Sequence, residues 1–136
     1  VELRPLIAQD IPALQAALAA DVFHPAGTWQ VAHFTHPAIY SEVVEDERGA
    51  AIFALYVRES DTTMRLACMW ADGHDNKRNA RAIVFGVQSL VQKARASGYK
   101  EIVTESDYEP LRAFLSKVLG FVPRLTGSAK DLVLVL

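Results

Sequence analysis

Six apolar residues, Ile83, Val84, Val87, Leu90, Val91 and Ala94, recur at the three- and four-residue spacing of a single helix face, and Gly98 follows as a stop signal. Directly before them lie three strand-like runs, IYSEVVE (39–45), AAIFALYVR (50–58) and TMRLACMWA (63–71), separated by DERG and ESDT. Short polar connections between such runs predict an antiparallel meander. A half-apolar helix that follows a meander has to bury its stripe against another layer. This pairing constrains the fold more than any other feature of the chain.

The flanks extend the pattern. ELRPL (2–6) reads as a short strand, with Pro5 marking its end. Asp10 is placed to cap a helix over 11–21, with Pro12 in its first turn and Ile11, Leu14 and Leu18 at helical spacing. Residues 23–37 carry two prolines, a glycine and three histidines, and predict a loop with one short helix around 28–34. After the long helix, EIVTE (101–105) is a short strand. Pro110 opens a helix that Gly120 closes, and FVP and DLVLVL supply one or two final strands. The order is strand, helix, irregular segment, three strands, helix, strand, helix, strand: a mixed α/β class in a single domain over 1–136.

Composition narrows the function classes. A net charge of −2 and the lack of a basic, aromatic strand pattern argue against nucleic acid. No apolar run approaches the roughly 20 residues that span a bilayer. VELRPL lacks the order of a secretory leader. Cys68 is the one cysteine, which excludes an internal disulfide and fits a reducing, cytoplasmic setting. In an apolar strand, Cys68 reads as a small hydrophobe rather than a nucleophile. His24, His33 and His36 invite a zinc reading, but no cysteine pair supports it and no metal is expected.

Charge at the start of the long helix poses a sharper question. Lys77, Arg78 and Arg81 crowd a helix N-terminus, where the backbone dipole disfavours cations by about 0.3–1 kcal/mol each. Either neighbouring acids such as Asp72 and Asp75 offset them, or an anion binds there.

Three stretches now stand in one order: LRPLIAQDIPALQAAL, the junction after TMRLACMW, and LSKVLGF (115–121). Together they resemble the GNAT family of N-acetyltransferases, and the likeness in element order covers nearly the whole chain. The resemblance implies a GNAT-like acyl-CoA N-acyltransferase fold with a mixed central sheet. It also implies acetyl-CoA as cofactor and an amine, small molecule or peptide, as acceptor. It places pyrophosphate on Lys77, Arg78, Asn79, Ala80, Arg81 and Ala82, and pantetheine along Met69, Trp70 and Ala71. The family's loop carries two glycines or a glycine and an alanine; here Ala80 and Ala82 stand in those places. Its late-helix tyrosine, a general acid, is replaced by Ser116, a much poorer acid.

Other roles follow from position. Glu105, at the end of its strand, can serve as general base or be a plain surface acid. Tyr108 is the nearby phenol that could replace the missing tyrosine. Trp29 and His33 lie in the segment that covers the acceptor in the family. DLVLVL, if it formed a sheet edge, would offer a pairing surface for a homodimer. The missing glycine and tyrosine motivate an alternative, a non-catalytic GNAT-like binding or structural module.

Overall fold

The computed structural model describes every residue except Pro25, Ala26 and Ala38. Its strands are β1 (Glu2–Pro5), β2 (Tyr40–Asp46), β3 (Gly49–Arg58), β4 (Thr63–Trp70), β5 (Glu101–Glu105), β6 (Val122–Pro123) and β7 (Asp131–Val135). Its helices are α1 (Ile11–Ala20), α2 (Val31–Thr35), α3 (Asn76–Ala96) and α4 (Glu109–Leu119). The strand order is β1-β2-β3-β4-β5-β7-β6, with β4 and β5 parallel, so the expected mixed α/β class with a mixed sheet is what forms. The chain forms two compact units, residues Val1–Tyr56 with Cys68–Gly86, and Val57–Ala67 with Val87–Leu136.

In the first unit β2 pairs antiparallel with β1, from Glu2↔Glu45 to Pro5↔Glu42, and with β3, from Tyr40↔Tyr56 to Asp46↔Gly49. Consecutive residues Ser41–Val44 of β2 and Ala51–Tyr56 of β3 are buried, so both faces of these strands are covered. Helix α1 turns Leu14 and Ala17 inward. Gly86 lets α3 approach β2: a Cβ there would lie 3.1 Å from Val44 Cγ2. That closeness accounts for a glycine in mid-helix, where it costs about 1 kcal/mol against alanine.

Asp10 does not cap α1 as expected. Its carboxylate turns back, accepting the Ile7 N–H at 2.9 Å and both Arg4 guanidinium nitrogens at 2.8 Å. Arg4 in turn bridges to Glu45 of β2 at 2.8 Å. A fixed guanidinium within reach outcompetes the exposed first-turn N–H groups of α1.

In the second unit β5 lies between β4 and β7, with Ile102 and Val103 fully buried. The parallel register of β4 with β5 runs from Thr63↔Glu101 to Leu66↔Thr104. Gly120 ends α4 in the left-handed conformation, φ 82°, open to glycine at little cost. Its N–H and that of Phe121 both reach the Leu115 carbonyl, and Phe121 is driven into the core. DLVLVL is not an edge: β7 pairs with β5 on one side and β6 on the other. Val122 and Pro123 cover Val133 and Leu132, so this part of DLVLVL is not open for pairing with another chain.

Candidate functional site

The start of α3 separates its three cations. Arg78 does not face outward. Its guanidinium donates to both Asp46 oxygens, at 2.7 and 2.8 Å, and to the Gly49 and Ala50 carbonyls, each at 3.1 Å. The side chain is 11 % exposed, and the pairing holds the Asp46 carboxyl well below the usual range. Arg78, expected on phosphate, instead ties the β2–β3 hairpin to the helix through Nε and one terminal nitrogen. Arg81, 62 % exposed, stands 3.7 Å from Glu47, and Lys77 is exposed.

Backbone donors there are largely engaged. Asp75 accepts the Arg78 N–H at 3.2 Å through one oxygen and the Arg48 guanidinium at 2.7 Å through the other. Asn79 N–H reaches the Asp75 carbonyl and Asn76 N–H the His74 carbonyl. Asn79, expected on phosphate, is buried, and its amide donates to the Asp72 carbonyl at 2.8 Å. Ala82 is 3 % exposed and packs in the core, whereas Ala80 is half-buried. The outward-facing positive charge of this start comes from Lys77, Arg81 and the N-terminal end of a 21-residue helix. Asp75, paired with Arg48, already occupies a first-turn donor of this helix.

At the end of β4, Met69 is 2 % exposed and belongs to the core. The Ala71 N–H reaches the Ala51 carbonyl at 2.9 Å, so it is not available to polarise a bound carbonyl. Trp70 and Ala71 do line a small pocket of about 70 Å³ with Ala17, Asp21, Phe23 and Asp72. Burial pushes the Cys68 thiol up to about 12, in keeping with an inert side chain.

The segment after α1 holds a pair that the sequence reading missed. Asp21 is the residue that closes α1, and its carboxylate accepts the Phe23 N–H at 2.9 Å and meets His24 Nδ1 at 2.8 Å. A signal was present: an acid at a helix C-terminus opposes the dipole and calls for a cationic or donor partner, here three residues on. Trp29 stands edge-on between two histidines, 6.5 Å from His24 and 5.5 Å from His33. His33 Nδ1 accepts the Gln30 N–H at 2.9 Å. Among the described residues, no group of three or more His, Cys, Asp or Glu is arranged to hold a metal ion.

The remaining expected residues lie in the second unit. Glu105 is 53 % exposed and 3.8 Å from Arg65. Arg65 is held bidentate by Asp131, at 3.1 and 2.9 Å, and by Glu59 at 2.8 Å, and Arg124 joins Glu59 at 2.7 Å. Tyr108 precedes α4, its N–H on Ser106 Oγ, and its side chain is exposed. Ser116 is exposed on α4.

No protein-family model and no curated protein sequence matches the chain. Solved structures do. A spermidine N-acetyltransferase from Vibrio cholerae, in complex with CoA and spermine, superposes with TM-score 0.71 at 15 % identity, covering 98 % of this chain and 94 % of that one. A GNAT superfamily phosphinothricin acetyltransferase from Sinorhizobium meliloti, in complex with acetyl-CoA, gives 0.68 at 16 %, covering 99 % and 88 %. A ribosomal-protein-alanine N-acetyltransferase from Brucella melitensis gives 0.66 at 16 %, covering both chains in full. The chain therefore has the GNAT N-acyltransferase fold.

Proposed function

We propose that the protein is a divergent GNAT enzyme that transfers the acetyl group of acetyl-CoA to an amine. The observation that carries this is the whole-length likeness to acetyltransferases, two of them holding CoA or acetyl-CoA. Acetyl-CoA supplies an activated carbonyl carbon to which an amine nitrogen can add. Lys77 and Arg81 would meet its phosphates as charge-assisted donors. Trp70 and Ala71 would line the wall near the thioester, and Trp29 and His33 would shape the acceptor site. Much of the rate would come from holding the two reactants together. The test is acetyl transfer to a panel of amines, including spermidine and a peptide with a free N-terminal alanine. Transfer that disappears without acetyl-CoA supports the reading, and no transfer to any amine counts against it.

A second reading, a non-catalytic module of the same fold, is favoured by one specific arrangement: Asp75 and Arg48 already complete the α3 start. Replacing Asp75 with Ala distinguishes the two. On the enzyme reading CoA binds the wild type and binds the variant more tightly. On the module reading neither protein binds it.

A further inference from the structure

The acceptor amine must give up a proton before it can attack, and the first unit contains a group built to take one. We infer that His24, held by Asp21 beside the pocket at the end of β4, is the proton acceptor for the amine. This rests on the acetyltransferase reading and adds a residue to it.

The bond to Asp21, which lines the pocket that His24 adjoins through it, decides which ring nitrogen is free to accept. The Asp21 carboxylate is only an acceptor, so at 2.8 Å the His24 Nδ1 must carry the hydrogen. The neutral ring then has its lone pair on Nε2. Asp21 is itself pinned by the Phe23 N–H, and its side chain is 10 % exposed, so it orients the ring firmly. The His24 side chain is 29 % exposed and can exchange protons with solvent.

His33 has the opposite tautomer. The Gln30 N–H donates to its Nδ1, so in the neutral ring Nε2 carries the hydrogen. Of the two histidines flanking Trp29, one can accept at Nε2 and the other can only donate there. Asp21 also lines the pocket with Phe23, Trp70 and Asp72, which suits the carbon stem and cationic head of an ammonium group.

The proton balance is simple. An incoming R–NH3⁺ gives one proton to His24 Nε2, and the resulting imidazolium sits against the Asp21 carboxylate. As the C–N bond forms and the C–S bond breaks, a second nitrogen proton goes to the sulfur and leaves as the thiol. His24 then returns its proton to solvent. The other titratable groups facing this place are His33 across Trp29, and Asp72 and His74 along the pocket.

The experiment compares wild type, His24→Gln, Asp21→Asn and His33→Gln with spermidine as the amine. The first readout is the imidazole tautomer by nitrogen NMR, which needs no activity. Wild-type His24 should carry hydrogen on Nδ1, and Asp21→Asn should weaken that preference. The second is kcat/KM against pH. His24→Gln should lose at least about a hundredfold in kcat with CoA affinity retained. It should also lose the acidic limb of the profile, and the limb should persist in His33→Gln. An Nε2–H tautomer at His24, or an unchanged profile in His24→Gln, overturns the inference while leaving the enzyme reading in place. A wild type that binds no CoA overturns the enzyme reading, and the catalytic role of His24 goes with it.

Discussion

Arg78 and Asp46 meet through two hydrogen bonds, at 2.7 and 2.8 Å, that tie the first turn of α3 to the β2–β3 hairpin. The same guanidinium also holds the Gly49 and Ala50 carbonyls. Three neighbouring cations therefore have two kinds of work: Arg78 fastens the fold, and Lys77 and Arg81 face outward.

That division predicts opposite outcomes for two variants. Arg78→Ala removes a donor from two carbonyls and leaves the Asp46 carboxylate with the Arg48 N–H, and should lower the thermal midpoint by several degrees. Lys77→Ala with Arg81→Ala should leave the midpoint within about a degree, as exposed charges contribute little, while weakening CoA binding severalfold. Thermal unfolding and calorimetry on the two proteins check both halves.

Gly86 predicts a steric coupling. Its position would bring a Cβ to 3.1 Å from Val44 Cγ2, and Val44 is 2 % exposed. Gly86→Val should destabilise the protein by about 1–3 kcal/mol through overpacking. Combining it with Val44→Ala should recover part of the loss, giving a favourable interaction energy in the double-mutant cycle. Strictly additive losses would show that α3 does not rest on β2 at this point.

Acid should unfold the protein through carboxylates that arginines hold ionised, Asp10, Glu59 and Asp131 among them beside Asp46 and Asp75. Arg65, and then Arg124, hold the Asp131 carboxyl below its usual range; Arg124, and then Arg65, do so for Glu59; and Arg4 does so for Asp10. A depressed folded-state value stabilises the fold above the unfolded value and is lost as pH falls through the folded one. The thermal midpoint should thus hold between pH 7 and about 5, and drop below about pH 4. Asp131→Asn should lower the midpoint at neutral pH and flatten the acid slope, measured by circular dichroism.

Cys68 should be slow to modify. Desolvation pushes its half-buried thiol up to about 12, so little of it is thiolate at pH 8. Alkylation in the native state should be clearly slower than in denaturant. Equal rates would mean that the thiol is not perturbed.

Much of the fold was legible because its signals are local. The stripe from Ile83 to Ala94 and the stop at Gly98 mark α3, and Pro110 and Gly120 bracket α4. What the sequence hid depends on contacts far along the chain. Nothing near Arg78 says that Asp46, 32 residues earlier, takes its guanidinium. The pairing of β6 with β7, which removes DLVLVL from the edge, rests on only two residues, Val122 and Pro123. Asp10 looked like a cap because local spacing cannot show Arg4 reaching it across the turn. The Asp21–His24 pair was readable in principle, since an acid closing a helix needs a partner, here only three residues on.

The account turns on whether the α3 start receives a CoA phosphate, and calorimetry of CoA binding tests that most directly. It should be run at low and at moderate salt, on the wild type and on the Lys77→Ala, Arg81→Ala double variant. The account predicts micromolar binding to the wild type that weakens with salt and weakens severalfold in the variant. No binding at millimolar CoA, or equal affinity in both proteins, would contradict it.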